Sequence, residues 1–353
     1  MIQTKTTVVG LRNEWVDCLR GYAVILVCLS HTFYLPPIHR AFPGVSFYFK
    51  GDIGVWLFYV ISGFLIGGLL LNEKAHPGGV HLGRFYGRRF SRLIPSYLAL
   101  VLVMNITASG SIQRAGIHWW LFFIPWLDMT PGIGYLPFHL RTLHIEEKFY
   151  LGWGLLSKYL PRRVLFWFAV GLVVYGPIAR VLVYFPNGPS TLMFDSAADC
   201  FGIGILFAFF QTQVSGQWRR LNKLTERLLF GPGVIMMLML LVGLLRQIKP
   251  FSYFLIPFLP TVVSLLSIAL LYSGWERRSV FQAAWVAKVG LASYTIYLFQ
   301  QLVLCPWNDV YAWEFTWLRW MGASASVCVF VIFWFRSVEA PITVWGRRSF
   351  SSR

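Results

Sequence analysis

The segment that decides the fold is EWVDCLRGYAVILVCLSH, residues 14–31, a hydrophobic run with an arginine near its start and a histidine at its end. In a helix, the step from Arg20 to His31 covers about 16 Å of rise and about three full turns, so both side chains share one face. Ionisable groups are costly in lipid, and two of them on one face indicate a functional surface that points into the protein. The alternative is that Arg20 extends to the membrane surface and His31 is a buried structural residue.

Composition indicates a membrane protein. Of the 353 residues, 57% are hydrophobic and only 13% are charged, whereas soluble proteins carry about 25% charged residues. The formal net charge of +17 therefore indicates basic loops at one membrane face, and we expect no nucleic-acid partner. The five cysteines lie in or beside hydrophobic runs without metal-type spacing, so we expect no metal site.

Hydrophobic runs long enough to cross a bilayer predict an all-α, polytopic membrane bundle of about ten transmembrane helices. The predicted segments are 20–37, 53–72, 93–109, 142–158, 164–184, 195–211, 229–246, 253–272, 289–305 and 318–337. Residues 115–127 are interpreted as interfacial, and Gly63 and Gly67 are spaced for close helix packing. We expect one integral membrane domain over residues 1–353, with no cleavable signal peptide and no fused soluble domain.

Basic residues recur in every second connection between the predicted helices. They follow the second, fourth, sixth and eighth helices and close the chain, while Arg246 and Lys249 go against this pattern. The positive-inside rule therefore predicts that both termini are cytoplasmic.

A cluster of arginines precedes the third predicted segment. Arg88 and Arg92 are one helical turn apart, as are Arg89 and Arg92. Guanidinium groups bind phosphate oxygens through paired, charge-assisted hydrogen bonds, so the cluster predicts a site for a phosphate-bearing cosubstrate such as coenzyme A. The alternative is ordinary basic charge at the cytoplasmic face.

Acidic residues lie in two of the predicted helices. Glu146 and Glu147 are adjacent near the start of the fourth, and Asp195 and Asp199 are one turn apart in the sixth. Acids near a helix N-terminus are stabilised by the helix dipole, so capping is the simple explanation for the glutamates. The alternative is that one glutamate faces the membrane core while the other pairs with Lys148.

Taken together, these motifs resemble those of acyltransferase family 3, the bacterial integral membrane acyltransferases that modify glycans and other acceptors. The family's opening arginine and histidine match Arg20 and His31, which follow Asp17. Its other motifs resemble GVWLFYVISGFL (54–65, with Ser62), RRFSRLIP (88–95), RTLHIEEKFY (141–150) and SYTIYL (293–298, with Tyr297). The resemblance covers essentially the whole chain.

The chain departs from the family pattern at three positions. The family's Trp-Ser element is replaced by LRTLH at residues 140–144, and the histidine that often follows the Tyr-Leu motif is Gln300 or Gln301. An arginine expected two residues before Asp199 is Ala197. These changes bear on how the chain binds its acceptor.

The resemblance implies an O-acyltransferase of the bacterial inner membrane. It would move an acyl group, acetyl in the first instance, from cytoplasmic acetyl-coenzyme A or another acyl-coenzyme A to a hydroxyl of a lipid-linked or exported glycan. No permanently bound cofactor and no fused SGNH-type esterase domain are expected. His31 would act as general base, since imidazole titrates near neutral pH. Glu146 and Glu147 are the other implied catalytic residues, which would shape the acceptor side or assist proton transfer. The implied phosphate-binding residues are Arg20, Arg88, Arg89 and Arg92, and further implied site residues are Asp17, Ser62, Asp199 and Tyr297.

A second function class fits the same charged residues. A transporter or flippase for a lipid-linked glycan would use the cavity for binding alone, and short, glycine-interrupted helices such as the sixth are found in transporters. The arginine cluster combined with a single helical histidine favours a thioester donor. A purely structural membrane subunit would leave Arg20 and His31 unexplained.

Overall fold

The structure is a computed structural model that describes residues 13–33, 35–42, 51–107, 138–187, 194–213, 241, 256–273, 282–304 and 317–350. Every regular element within these residues is a helix, which confirms the prediction of an all-α protein. The interfacial segment 115–127, Arg246, Lys249, the side chain of Asp195 and all of the predicted seventh span except residue 241 lie outside the description.

The α-helices of the described ranges are α1 (Glu14–Phe33), α2 (Pro36–Ala41), α3 (Gly51–Ala75), α4 (Leu82–Thr107), α5 (Phe138–Tyr159), α6 (Arg162–Asn187), α7 (Phe194–Gln213), α8 (Leu259–Ser273), α9 (Ala284–Leu291), α10 (Ser293–Phe299), α11 (Gln301–Leu304), α12 (Trp317–Trp334) and α13 (Ala340–Ser349). A short 3-10 turn, Ile256–Phe258, precedes α8. A π-helical turn, Phe335–Glu339, joins α12 to α13.

Four of the described stretches are long and apolar enough to cross a membrane. They are Glu14–Phe33, Gly51–Ala75, Arg162–Leu182 and Leu318–Ser349. Ala197–Gln211 and Leu259–Tyr272 are apolar but shorter. These helices support a membrane protein, while ten spans and the cytoplasmic location of both termini stay predictions.

The hydrophobic core is built around α3, which contacts α1, α5, α7 and α8. Gly63 lies against the backbone carbonyl of Phe201 on α7, and a Cβ at Gly67 would come within 3.1 Å of Ile205. The two helices therefore touch along their backbones, as the spacing of the two glycines predicts. On the other side, Gly290 of α9 lies against the carbonyl of Asp17, which brings α1 and α9 equally close.

The arginine cluster lies inside a helix and not before one. α4 already begins at Leu82 and continues through Pro95 to Thr107. Its first turns bury Phe85 in the core while presenting charged residues elsewhere, so they are too polar to count as a membrane span. Hydrophobicity alone therefore finds only the later part of this helix.

The predicted segment 289–305 is not one continuous helix. It is divided among α9, α10 and α11, with breaks at Ala292 and Gln300. All three parts contact α1, and α10 reaches the candidate site described next.

Candidate active site

A cavity lies where α1, α3, α4, α5 and α10 meet. Six of the predicted site residues line it together: Arg20, Ser62, Arg89, Arg92, Glu146 and Tyr297. The lining also includes Tyr59, Thr142, Tyr150 and Tyr294, together with aliphatic residues of α3. Each helix thus contributes one to three polar side chains to a wall that is otherwise apolar.

The cavity has an excess of positive charge. Arg89 and Arg92 line the cavity from α4, and Arg20 lines it from α1. Arg20 interacts electrostatically with both Arg92 and Glu146. Among the lining residues that the structure describes, Glu146 is the one carboxylate. Three guanidinium groups against one carboxylate favour an anionic ligand.

Glu146 is held by two hydroxyl groups. Ser62 Oγ of α3 donates a hydrogen bond to Glu146 Oε1, and Tyr150 OH donates to the same oxygen at 2.5 Å. The guanidinium carbon of Arg89 lies 5.2 Å from the centroid of the Tyr150 ring. The carboxylate is therefore fixed between α3 and α5, and its tyrosine partner is packed against an arginine of the cavity.

A pair of hydroxyls lies in the cavity wall one helical turn from Glu146. Thr142 Oγ1 of α5 and Tyr297 OH of α10 are hydrogen-bonded to each other, and Tyr59 OH donates to the carbonyl oxygen of Thr142 at 3.2 Å. We call the Thr142–Tyr297 contact the hydroxyl bridge. It joins α5 to α10 across the cavity wall.

His31 lies outside the lining of the cavity, at the other end of α1. Its Nδ1 is 2.9 Å from Oε1 of Gln300, which follows Tyr297 by one turn. Because an amide oxygen can only accept, this contact gives Nδ1 the hydrogen and leaves the lone pair on Nε2. That tautomer can accept a proton from a hydroxyl. Gln300 is one of the two glutamines at which the resemblance leads us to expect a histidine, and it contacts the imidazole directly.

Arg20 and His31 thus lie in two separate environments along α1. Arg20 lies in the arginine-lined cavity and His31 beside Gln300, about 16 Å of helix rise away. The hydroxyl bridge belongs to the wall of the first environment and is one turn from the second. The sequence predicts that the two side chains share one helix face, but it does not predict that their surroundings differ.

The remaining predicted residues lie outside the lining. Arg88 forms an ion pair with Glu73 at 2.6 Å and donates to the carbonyl oxygen of Phe350 at 2.8 Å, so it ties α4 to the end of α3 and to the C-terminal side of α13. Glu147 Oε1 is buried and makes no hydrogen bond to the described residues. Asp17 is buried near Arg20 and interacts with its guanidinium group electrostatically.

Asp199 belongs to a separate buried network. Its two carboxylate oxygens accept from Nη1 and Nη2 of Arg180 at 2.8 and 2.7 Å, and Thr261 Oγ1 donates to it at 2.5 Å. Arg180 also donates to the carbonyl of Pro257. The network joins α6, α7 and α8, and sequence reasoning missed its arginine. The available signal was an arginine inside the apolar α6, where a charge requires a partner.

The described residues include no group of three or more His, Cys, Asp or Glu side chains arranged to hold a metal ion. The cavity residues are instead suited to charge-assisted hydrogen bonding and proton transfer.

Comparison with known proteins agrees with the motifs. A family model described as "Acyltransferase domain" matches residues 13–336. Peptidoglycan O-acetyltransferase OatA of Listeria monocytogenes is 24% identical over 93% of this chain and 55% of its own length. O-acetyltransferase OatA of Staphylococcus aureus is 25% identical over 84% of this chain and 51% of its own length. The chain therefore spans about half the length of the curated relatives it matches. No solved structure matches the chain.

Proposed function

Because this chain belongs to the acyltransferase family, we propose that it moves an acyl group, acetyl in the first instance, from acyl-coenzyme A to a hydroxyl of a glycan or lipid-linked saccharide. The observation that carries the proposal is the cavity in which, among the described residues, Arg20, Arg89 and Arg92 face one carboxylate, that of Glu146. A glycan acceptor is supported by the name of the Listeria relative, which specifies peptidoglycan.

The donor would bind through its phosphates. Arg89 and Arg92 are one turn apart on α4 and Arg20 extends from α1, so three guanidinium groups line the same cavity. Each fork can donate two parallel hydrogen bonds to phosphate oxygens. Arg88 is already engaged with Glu73, so its contribution to donor binding would be smaller than that of Arg92.

His31 would act as general base on the acceptor hydroxyl. As Nε2 takes the proton, the hydroxyl oxygen attacks the thioester carbonyl carbon. The carbon–sulfur bond then breaks, the ester is released, and the coenzyme A thiolate recovers the proton from the imidazolium. Gln300 keeps Nδ1 protonated throughout and thereby holds Nε2 available.

The distance between the arginines and His31 suits an extended donor. With phosphates at Arg89 and Arg92, the pantetheine arm would run past Ser62 and Glu146 and between Thr142 and Tyr297. The thioester would then meet the acceptor about 16 Å along α1 from Arg20. In this orientation the arginine end would face the cytoplasm, in keeping with Lys74 in the last turn of α3 and Arg84 in the first turn of α4.

The test uses the full chain in lipid nanodiscs and in native membranes. Labelled acetyl-coenzyme A is supplied, and both hydrolysis and transfer of label into the glycan fraction are measured. His31→Gln should lose about 100-fold to 10,000-fold in rate, the usual contribution of a positioned base. His76→Gln, at an exposed histidine after α3, is the matched control and should behave as wild type.

Two outcomes would contradict the proposal. Near-normal transfer by His31→Gln would make the histidine a packing residue. A wild-type protein that neither hydrolyses nor transfers from acetyl-coenzyme A, yet moves a lipid-linked glycan across the membrane, would establish the transporter alternative.

A further inference from the structure

Glu339 is a buried acid that none of the steps above uses. It ends the π-helical turn between α12 and α13 and is only 3% exposed. Its Oε2 accepts hydrogen bonds from Thr295 Oγ1 and from Ser96 Oγ, the latter at 3.2 Å. Trp334 Nε1 in turn donates to Ser96 Oγ at 3.0 Å. Three separate helical segments therefore meet at one carboxylate.

The two hydroxyl partners of Glu339 belong to helices that form the cavity. Ser96 follows Arg92 by one turn on α4, and Thr295 lies between the lining residues Tyr294 and Tyr297 on α10. Glu339 itself is not in the lining. It thus holds the arginine wall and the tyrosine wall together from outside the cavity.

The charge of Glu339 also acts on the cavity. Ser96 lies one turn after Arg92 on α4, so its hydrogen bond to Glu339 places the carboxylate close to Arg92, and both Arg92 and Arg20 interact with it electrostatically. Buried charges are destabilising unless an opposite charge is near. The arginines of the cavity therefore have a second carboxylate behind the wall, in addition to Glu146 within it.

We propose that Glu339 is a positioning residue that acts through Arg92 and Arg20: its negative charge offsets theirs and limits how tightly the cavity holds an anionic donor. This inference rests on the proposed function. Coenzyme A carries the same phosphates before and after transfer, so a cavity that bound them without this offset would also release the product slowly.

A purely structural role makes a different prediction. If Glu339 only joined α4, α10 and the π-helical turn, removing its charge while keeping its hydrogen bonds would leave anion affinity unchanged. Any loss would then appear in thermal stability alone.

The experiment measures the affinity of purified full chain for coenzyme A and, separately, for inorganic pyrophosphate by calorimetry. Glu339→Gln keeps an oxygen that accepts from Thr295 and Ser96 but has no charge. The Kd for coenzyme A should fall about three- to tenfold, as expected for removing one nearby like charge at an effective dielectric constant near 20. Turnover should slow at saturating donor because release is slower.

Two controls separate charge from architecture. Ser96→Ala removes one hydrogen bond to Glu339 but leaves the charge, so coenzyme A affinity should match wild type. Methionine has a similar length to glutamate but has no charge and needs no hydrogen-bond partner. If Glu339→Gln fails to fold, Glu339→Met is measured in its place, and its Kd for coenzyme A should fall by the same factor.

The outcomes distinguish this inference from the proposed function. Unchanged or weaker coenzyme A binding by the charge-free variants, with Arg92→Ala still losing affinity, overturns the role of Glu339 and leaves the donor site intact. A wild-type protein that binds neither coenzyme A nor pyrophosphate overturns the donor assignment itself. Tighter binding by Glu339→Gln with unchanged binding by Ser96→Ala establishes the inference.

Discussion

Ser62 Oγ on α3 donates a hydrogen bond to Oε1 of Glu146 on α5, and this contact fixes the carboxylate that faces the cavity arginines Arg20, Arg89 and Arg92. Tyr150 donates to the same oxygen. The position of Glu146 is therefore set by two neighbours, and its charge and its orientation can be tested separately.

Glu146→Gln should lower the rate of acyl transfer about 10- to 100-fold, because the amide has no charge to balance Arg20 and cannot accept a proton. Ser62→Ala keeps the charge and the Tyr150 hydrogen bond, so its loss should be only a few-fold. Glu14→Gln, at an exposed acid in the first turn of α1, is the matched control. Initial rates with labelled acetyl-coenzyme A measure the effect, and equal losses for Glu146→Gln and Ser62→Ala would show that charge is not what matters.

Arg92→Ala should weaken donor binding by roughly 1.5–3 kcal/mol, about tenfold to a hundredfold in affinity, because a charge-assisted phosphate contact is lost. Arg88→Ala should change donor affinity much less, since Arg88 lies outside the lining and pairs with Glu73. The apparent KM for acetyl-coenzyme A measures both. If Arg88→Ala were the more damaging change, the donor would bind nearer the end of α3 than the cavity indicates.

Gln300→Leu should reduce kcat while leaving the KM for the donor unchanged, because the imidazole of His31 loses the acceptor that fixes its tautomer. The reduction should be smaller than that of His31→Gln, which removes the base itself. Gln300→His restores a hydrogen-bonding partner and should recover part of the rate. A change in KM without a change in kcat would instead assign Gln300 to substrate binding.

Arg180→Ala should destabilise the protein by about 3–5 kcal/mol, because it leaves Asp199 buried without its opposite charge. Replacing both residues, with Arg180→Met and Asp199→Leu, should cost much less, since no uncompensated charge remains. Thermal unfolding in detergent gives the comparison. A double variant as unstable as Arg180→Ala would mean that the packing of α6 against α7 matters more than the charge.

Gly63→Ala should destabilise the bundle, because the added methyl group would overlap the carbonyl of Phe201 and push α3 away from α7. Gly152→Ala is a matched control: nothing lies within 4 Å of the new methyl group, and alanine favours helix by about 1 kcal/mol. The two variants should therefore shift the unfolding temperature in opposite directions.

The sequence predicts some of the side chains that enter the cavity, while the predicted site residues His31, Arg88 and Glu147 lie outside its lining. Arg20, Ser62, Arg89, Arg92, Glu146 and Tyr297 are each recognisable from motifs, because each is a polar residue at a fixed place in a hydrophobic helix. The same patterns do not predict pairings between helices. The contacts of Arg88 with Glu73 and of Asp199 with Arg180 depend on how neighbouring helices are aligned, and helix periodicity contains no such information.

The bounds of α4 and of the predicted segment 289–305 show a second reason why the sequence does not predict the whole structure. A hydrophobicity window detects the part of a helix that suits lipid, so it misses the charged first turns of α4 that carry Arg88. It also joins α9, α10 and α11, because short breaks at Ala292 and Gln300 do not interrupt an apolar run. One of those breaks is where Gln300 meets His31.

The hydroxyl bridge has a consequence for the membrane as a barrier. Under the proposed function, an acyl donor that extends from Arg92 to His31 would run between Thr142 and Tyr297, so their hydrogen bond would break once in every catalytic cycle. Between cycles the re-formed hydrogen bond, with Tyr59 donating to the carbonyl oxygen of Thr142, would close that route. Catalysis and the retention of the transmembrane ion gradient would then be linked: a variant such as Tyr297→Ala should transfer acyl groups less selectively and also dissipate a proton gradient across sealed vesicles.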